Sequence, residues 1–362
     1  MGLTCGIVGL PNVGKSTLFN ALTKSKVLAA NYPFATIEPN VGLVTVPDDR
    51  LEPLVAIYQP KKITPTTFEF TDIAGLVKGA SKGEGLGNQF LSHIRQVDAI
   101  AHVVRCFPNP LMPAELDPVD DIETVELELI FADLDIVEKR LPKIEKKAEM
   151  KTDPDIVKEY AILSKIHQCL MEGQPIRSLG LDANDQARVA AYAFLTLKPV
   201  LYVANIDVSD VGKTNELVEQ VKAYASERQA PVIEISAQIE SELSELEDEE
   251  RVMFMDDLGL TRSGFDLMIQ TAYRLLGLQT FFTCGDKEVR AWTYSQGMTA
   301  RQCAGLIHSD MERGFIRAET TTVVDVTTYG SEVAAKEKGK WRLEGKDYLV
   351  KDGDILFFRF NV

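Results

Sequence analysis

The residues best suited to chemistry form the segment Gly9-Leu10-Pro11-Asn12-Val13-Gly14-Lys15-Ser16 near the start of the chain. A glycine, four other residues and Gly-Lys-Ser, between an apolar run and a helical stretch, are the pattern of a P-loop. Glycines let backbone amides turn inward around a phosphate, and the helix that follows presents its positive end to the same group. The predicted triphosphate-binding residues are Asn12, Val13, Gly14, Lys15, Ser16 and Thr17.

Within the P-loop, Lys15 would contact the β- and γ-phosphates and Ser16 would bind Mg²⁺. Two further segments are predicted to sense the γ-phosphate. Asp72-Ile73-Ala74-Gly75 ends a strand-like run, where Asp72 would hold Mg²⁺ through water and the Gly75 amide would touch the γ-phosphate. We therefore expect Lys15, Asp72 and Gly75 to take part in catalysis. Thr36 could coordinate Mg²⁺ only when the γ-phosphate is present, although an ordinary loop hydroxyl is the alternative.

A glycine-rich stretch follows the second segment. Glycines at 79, 83, 85 and 87 exceed what a plain connector needs, and they indicate a segment that can change state. A flexible linker without a switching role is the alternative.

Base selection is expected after the apolar strand that ends at Asn205. GTPases use Asn-Lys-x-Asp there, whereas this chain has Asn205-Ile206-Asp207-Val208, with no carboxylate at the fourth position. Asn205 and the Ile206 backbone could still contact adenine, and the loop Ser236-Ala237-Gln238 would support the base. The sequence therefore favours ATP over GTP as the substrate.

The group that activates the attacking water is not evident. Leu76 stands where many GTPases place a glutamine, and leucine forms no side-chain hydrogen bond. Asn12 is a candidate for coordinating K⁺ beside the phosphates, in place of an arginine finger.

Composition limits the class of protein. The 362 residues suggest two or three domains, and 45% hydrophobic with 26% charged residues is typical of a soluble protein. No apolar run is long enough to cross a membrane. Five cysteines without paired spacing favour a reducing compartment, so we expect a cytoplasmic protein. A net charge of −15 argues against a general nucleic-acid binder. We also expect no sequence-specific DNA binding, and we expect a monomer.

The order of predicted elements indicates an α/β fold, a doubly wound sheet with two additions. Heptad spacing over 122–172 predicts an antiparallel helical coiled coil inserted into the nucleotide domain, its first helix kinked at Pro142. Residues 278–362 are electrically neutral, with 12 basic and 12 acidic residues, and they predict a separate α+β domain. The predicted domains are 1–121 with 186–277, 122–185, and 278–362.

Three local predictions concern the second half of the chain. Ser241 to Leu258 is expected to form one acidic helix, and Thr320 to Val326 a strand. The run from Tyr348 to Phe357, with Asp352-Gly353 near its centre, predicts a β-hairpin.

With these motifs assembled, the chain closely resembles the YchF family of Obg-related ATPases over nearly its full length. The resemblance rests on Gly9 to Thr17, Asn31 to Asn40, Asp72 to Asn88, the coiled-coil insertion and the 278–360 segment. It implies an ATPase with weak intrinsic activity, dependence on Mg²⁺, and association with the ribosome or its large subunit. The last segment resembles the family's TGS domain, a β-grasp-like module.

The chain departs from the family pattern at two places. Val208 stands where the family's fourth base motif, Asn-x-x-Glu, has glutamate, which makes base selectivity less secure. The family's catalytic histidine has no counterpart between Phe107 and Asp121, and packing is the expected role of His93 and His102. The water-activating group therefore stays unassigned.

Three functions stay open at this point. The first is an ATP-driven switch that contacts ribosomes through the coiled coil and the C-terminal module. The second is an Obg-type GTPase, and the third is a nucleotide-gated interaction scaffold with negligible turnover. Two basic clusters could touch RNA phosphates or simply form solvated faces: Lys139, Arg140, Lys143, Lys146 and Lys147, and Lys336, Lys338, Lys340 and Arg342.

Overall fold

The structure, a computed structural model, describes residues 3–26, 41–73, 75, 86–108, 116–151 and 153–361. The chain divides into two compact units: residues 1–43 with 69–272, and residues 44–68 with 273–362. The sequence did not anticipate that residues 44–68 group with the C-terminal residues. Leu54 explains this grouping, because it is buried in one apolar cluster with Phe282 and Val289.

The described residues form twelve strands and fourteen α-helices. The strands are β1 (Thr4–Val8), β2 (Val41–Thr45), β3 (Lys62–Thr64), β4 (Thr67–Asp72), β5 (Ala99–Arg105), β6 (Val200–Asn205), β7 (Val232–Ile235), β8 (Leu278–Cys284), β9 (Glu288–Ser295), β10 (Phe315–Thr322), β11 (Arg342–Glu344) and β12 (Asp354–Phe360). The helices are α1 (Lys15–Lys26), α2 (Leu51–Tyr58), α3 (Leu86–Gln96), α4 (Pro118–Glu149), α5 (Pro154–Met171), α6 (Ala183–Val189), α7 (Glu216–Glu227), α8 (Ala237–Leu243), α9 (Asp248–Asp257), α10 (Gly264–Leu275), α11 (Ala300–Ile307), α12 (Ser309–Arg313), α13 (Val323–Tyr329) and α14 (Glu332–Glu337). Short 3₁₀ turns occur at Ile176–Leu179, Ala190–Tyr192 and Val208–Asp210.

The first sheet has the order β2-β4-β1-β5-β6-β7, which confirms the predicted doubly wound α/β architecture. Four neighbouring pairs in this sheet are parallel, namely β4–β1, β1–β5, β5–β6 and β6–β7. All residues of β5 and β6 are buried, as expected for strands covered on both faces. Ile7 pairs with Asp72, and Arg105 pairs with Asn205, so the ends of four strands meet at one edge. Ligands of such sheets bind beyond this edge.

The inserted hairpin consists of α4 and α5. The carboxylates of Asp117 and Asp153 each accept bonds from two backbone amides at the helix starts, with proline at the first helical position. Most of the heptad positions that predict contact between the two helices are buried or half-buried. One of them, Leu127, is 43% exposed. The helix continues through Pro142 to Glu149, so this proline does not end it.

The second sheet has the order β11-β10-β12-β8-β9-β3. β10 pairs with β12 and β8 with β9 in antiparallel fashion, whereas β12 lies parallel to β8. Together with helices α11 to α14, this sheet forms an α+β unit, as predicted. No helix within the described ranges has both the length and the apolar character that crossing a bilayer requires.

Two of the three local predictions for this half fail in the second unit. The predicted strand Thr320 to Val326 is wrong beyond Thr322, because the Thr322 hydroxyl accepts a bond from the Asp325 amide and caps α13. The predicted hairpin is also wrong. The Asp354 carboxylate accepts bonds from the Lys351 amide and the Tyr348 hydroxyl, and the Asp354 amide donates to the Lys351 carbonyl, so residues 351–354 form a turn. Leu349 forms an isolated β-bridge with Thr299 instead.

The predicted acidic helix from Ser241 to Leu258 is wrong as a single element. It divides into α8 and α9, with a break after Leu243. The Arg251 guanidinium donates to the carbonyls of Leu243 and Leu246, and so satisfies acceptors that a continuous helix would have used.

Candidate nucleotide site

The P-loop connects the buried end of β1 to the first turn of α1. Asn12 and Gly14 have left-handed backbone conformations, with φ of 61° and 99°. Such residues let successive backbone amides face one side and form an anion-binding nest. The Leu18 amide donates to the Gly14 carbonyl at 2.9 Å, so the helix begins directly at the loop. The local geometry therefore suits a phosphate group.

Asn205 joins the P-loop to the start of α8. Its side chain is 3% exposed, its Nδ2 donates to the Val13 carbonyl at 2.9 Å, and its Oδ1 accepts from the Ala237 amide at 3.0 Å. Gly14 has to be glycine here, because a methyl group at this position would lie 2.3 Å from Asn205 Nδ2. The P-loop and the Ser236-Ala237 loop are therefore held by one buried carboxamide.

Lys15 and Asp72 form the charged centre of the site. Lys15 is buried, and its Nζ donates to the Leu10 carbonyl. Burial lowers the pKa of Lys15 to about 8, and the Asp72 charge opposes this shift. Burial likewise raises the pKa of Asp72, and Lys15 partly offsets the change. Binding of a charged ligand beside Lys15 and Asp72 would therefore change the pKa of both side chains.

Gly75 brings the second predicted segment close to the P-loop. A methyl group at Gly75 would lie 3.1 Å from Lys15 Nζ and 3.4 Å from the Pro11 nitrogen. The lack of a side chain therefore permits the backbone to approach the lysine closely. The structure thus brings Lys15, Asp72 and Gly75 together.

The donor set around Lys15 fits a magnesium ion that is shared with phosphates. Asp72 Oδ1 is buried and has no hydrogen-bond partner among the described residues, while Ser16 is exposed in the first turn of α1. No group of three or more His, Cys, Asp or Glu residues in the described ranges could hold a metal. Magnesium commonly takes one or two protein oxygens together with water and phosphate, so this sparse arrangement suits it.

A cavity of about 430 Å³ adjoins the P-loop at Gly14. Its wall includes the predicted residues Thr17, Asn205, Ile206 and Ala237. The complete lining is Gly14, Thr17, Phe107, Asn205, Ile206, Asp207, Ala237, Gln238, Ser241 and Glu242. Val208 is not part of this lining, so the position that selects guanine in GTPases does not face the cavity. The size and position suit a nucleoside beside a phosphate loop.

Four cavity residues were missed in the sequence: Phe107, Asp207, Ser241 and Glu242. Ser241 and Glu242 lie one helical turn beyond Ala237 and Gln238, so helical spacing from the base loop could have indicated them. The other two are neighbours of the strand ends at Arg105 and Asn205. No sequence pattern distinguishes them from ordinary loop residues.

Some predicted features lie outside the described residues. These are Thr36, Leu76 and the glycines at 79, 83 and 85, whereas Gly87 lies in the first turn of α3. Ser236 is buried, and its hydroxyl has no partner among the described residues. Asn12 is exposed on the P-loop.

The two histidines nearest the site differ. His102 lies buried on β5 next to Tyr202, with ring centroids 5.7 Å apart, and burial lowers its pKa to about 3. It is therefore neutral near pH 7 and has the predicted packing role. His93 is exposed on α3, so the packing prediction is wrong for it.

A parallel sheet with a glycine-containing phosphate loop, a buried lysine and an aspartate on the neighbouring strand defines the class of P-loop nucleoside triphosphatases. Two family models match the chain. One, described as "50S ribosome-binding GTPase", matches residues 4–139, and the other, YchF-GTPase_C, described as "Protein of unknown function (DUF933)", matches residues 278–361. The chain belongs to the YchF family.

Relatives support this membership along the entire chain. Proteins named ribosome-binding ATPase YchF are 56% identical in Bacillus subtilis and 53% in Haemophilus influenzae, each covering all of both chains. The solved structure of the Schizosaccharomyces pombe YchF GTPase is 38% identical, with a TM-score of 0.89, and the match covers 99% of this chain and 97% of that one. The Bacillus and Haemophilus relatives are therefore named ATPases, whereas the Schizosaccharomyces relative is named a GTPase.

Proposed function

We propose that this chain is a Mg²⁺-dependent, ATP-hydrolysing switch that binds the ribosome or its large subunit. It acts on the triphosphate held by the P-loop. The relatives named ribosome-binding ATPase, which match over the full length, support the partner and the reaction.

The choice of ATP depends on one observation: the cavity offers guanine neither of its usual partners. Val208 supplies no carboxylate for the guanine N1 and N2 groups, and it does not line the cavity. The Ala237 amide, a donor that could meet a 6-oxo group, already donates to Asn205 Oδ1. A purine with an amino group at position 6 needs hydrogen-bond acceptors instead. The side-chain oxygens of the lining residues Asp207, Gln238 and Glu242 are such acceptors.

The residues near the phosphates take distinct roles in this proposal. Lys15 binds the β- and γ-phosphate oxygens, while Ser16 and Thr36 coordinate Mg²⁺ and Asp72 holds it through water. When bound, Mg²⁺ neutralises charge that develops on the phosphates. The Gly75 amide binds the γ-phosphate, and loss of that contact after hydrolysis changes the following glycine-rich segment.

In this proposal, the attacking water is activated neither by a glutamine, because Leu76 stands at that position, nor by a histidine between Phe107 and Asp121. We propose that Asn12, on the exposed part of the P-loop, helps to coordinate K⁺, which supplies the charge of an arginine finger. Asn12→Ala should abolish stimulation of phosphate release by K⁺ relative to Na⁺. An unchanged K⁺ response in that variant would refute this role.

We further propose a nucleotide-binding domain within 1–121 and 186–277, an inserted domain over 122–185 and a TGS domain over 278–362, with the difference that residues 44–68 group with the last of these. The family model matched to 278–361 supports the last boundary. The hairpin and this domain make the ribosome contacts. In this proposal the protein is cytoplasmic and monomeric. It has no sequence-specific DNA binding, and the net charge of −15 supports this last point.

An Obg-type GTPase is the second candidate, and the name of the yeast structure favours it. An interaction scaffold with negligible turnover is the third. The proposed function is tested by phosphate release from ATP and GTP, with and without K⁺ and large ribosomal subunits. We expect release from ATP, increased by K⁺ and by subunits. Release from GTP alone would indicate the GTPase, and no release under any condition would indicate the scaffold.

A further inference from the structure

The base cavity has carboxylates, although not at the position where GTPases place one. Glu242 and Gln238 lie four residues apart on α8, and both line the cavity. Gln238 Nε2 donates to Glu242 Oε1 at 3.2 Å, which orients the carboxylate and leaves its second oxygen as an acceptor. Both side chains are exposed at the rim, where a ligand can reach them.

The helix that carries this pair is firmly held. Its first amide, from Ala237, donates to Asn205, and the buried Glu240 accepts a bond from the Gly264 amide at 2.6 Å. Ala237, Ile239 and Leu243 are buried beside them. The positions of Gln238 and Glu242 relative to the P-loop are therefore fixed by packing on the opposite side of the helix.

Two other polar residues of the cavity, Asn205 and Asp207, form hydrogen bonds within the protein. Asn205 donates to Val13 and accepts from Ala237. Asp207 Oδ1 accepts from the Ser209 amide at 2.9 Å, and this bond lowers the pKa of Asp207. Asp207 therefore stabilises its own turn, whereas the Glu242 carboxylate accepts its hydrogen bond from the exposed side chain of Gln238.

We propose that Glu242 is a specificity-determining residue that accepts a hydrogen bond from the 6-amino group of adenine, and that Gln238 is the residue that positions it. This inference rests on the proposed ATP-dependent function and names how the base is selected. A carboxylate attracts an amino group and repels the carbonyl oxygen that guanine and hypoxanthine carry at position 6. Negative charge on α8 thus replaces the glutamate that is absent at Val208.

The test measures dissociation constants of the full chain for ATP, ITP and GTP, in the wild type and in Glu242→Gln. The neutral amide keeps the shape of glutamate but can also donate to a 6-oxo group. We expect ATP to bind about tenfold more weakly and ITP equally or more tightly, the factor for one charge-assisted hydrogen bond. The ratio of ATP to ITP affinity should therefore fall by at least about tenfold.

Two further variants sharpen the test. Gln238→Ala should lower the same ratio to a smaller extent, because Glu242 remains but is no longer oriented. Glu250→Gln, an equal charge change on the exposed part of α9, should leave the ratio unchanged.

Three outcomes would count against the inference. An unchanged ATP to ITP ratio in Glu242→Gln would overturn it while leaving the ATP preference of the wild type intact. Equal weakening of ATP and ITP would mean that Glu242 contacts the sugar, which also overturns it. A wild type that binds GTP as tightly as ATP would overturn both this inference and the proposed function.

Discussion

A single buried side chain, Asn205, connects two segments that we propose to bind different parts of a nucleotide. It was predicted from the sequence as a contact to the base, yet its side chain donates to the Val13 carbonyl and accepts from the Ala237 amide. If Asn205 holds the P-loop in place, its loss weakens binding of any triphosphate. If it only reads the base, its loss weakens binding of nucleotides alone.

Asn205→Ala should therefore reduce affinity for inorganic tripolyphosphate as well as for ATP, each by at least about tenfold. The free energy of unfolding should fall by about 1–3 kcal/mol, because a buried carbonyl and a buried amide lose their partner. Calorimetric titration and urea denaturation measure the two effects. Asn20→Ala, on the exposed side of α1, is the control. Unchanged tripolyphosphate binding would show that Asn205 acts only on the base.

His102 should make stability depend on pH. Burial lowers its pKa from 6.5 to about 3 in the folded protein, with the charges of Arg177 and Lys15 acting in the same direction. Between these values the unfolded chain binds a proton that the folded protein does not, so stability falls as pH drops below 6.5. The slope from this residue is at most about 1.4 kcal/mol per pH unit.

Urea denaturation between pH 6.5 and 4.5 checks this contribution. His102→Gln should show a smaller loss of stability per pH unit than the wild type, whatever its absolute stability. His93→Gln, exposed on α3, should keep the wild-type slope. Equal slopes for the wild type and His102→Gln would mean that His102 is protonated without cost in the folded protein.

At the level of elements, the sequence predicted the structure well wherever a local pattern determined it. The P-loop, the buried strands β5 and β6 and the heptad hairpin were all predicted from spacing. The failures have a common cause, because each depends on a contact that spacing does not encode. The Arg251 bonds break the acidic helix, the Thr322 cap begins α13, and the Asp354 turn replaces a hairpin. The cavity residue Glu242 was missed for a different reason, because its spacing of one helical turn from Gln238 on α8 could have indicated it.

The root of the hairpin depends on Asp133 of α4. This fully buried carboxylate accepts bonds from the Leu195 amide at 2.9 Å and from the amide and hydroxyl of Thr196, both at 2.8 Å. Burial raises the pKa of Asp133, and these three bonds oppose that shift. Glu126 makes a second connection between α4 and the rest of this unit, because it accepts a bond from the Tyr224 hydroxyl of α7 at 3.1 Å. Glu126 also forms an ion pair with Arg177.

Asp133→Ala should lower the free energy of unfolding by about 3 kcal/mol or more, because it leaves three donors without their partner. Urea denaturation measures the loss, and hydrogen exchange should show faster exchange at the amides of Leu195 and Thr196. Asp135→Ala, which loses only an exposed pair with Lys139, should cost less than about 1 kcal/mol. A similar small loss for both variants would contradict the role given to Asp133.

Across the whole molecule, charge is distributed unevenly, and the two basic clusters differ in how they are paired. Lys336 and Lys340 form ion pairs with Glu332 and Asp325. In the hairpin, Lys139 and Arg140 are also paired, with Asp135 and Glu159, whereas Lys143, Lys146 and Lys147 are exposed near the end of α4. The hairpin is thus better suited to contact RNA phosphates.

Changing Lys143, Lys146 and Lys147 together to glutamate should reduce co-sedimentation with large ribosomal subunits by at least about tenfold, as expected when phosphate contacts are lost. The matched variant changes Lys336, Lys338 and Lys340 to glutamate and should reduce it less. Circular dichroism of both variants confirms that they are folded. If the hairpin variant sediments as the wild type does, its cluster is a solvated face and the ribosome contact lies elsewhere.

The central claim is that this member of a family of P-loop nucleoside triphosphatases selects adenine. Equilibrium titration of the full chain with ATP and GTP, side by side in Mg²⁺, tests it most directly. The geometry around Asn205, Ala237 and Val208 predicts at least about tenfold tighter binding of ATP, a difference of roughly 1.4 kcal/mol. Equal affinities, or tighter binding of GTP, would contradict the claim.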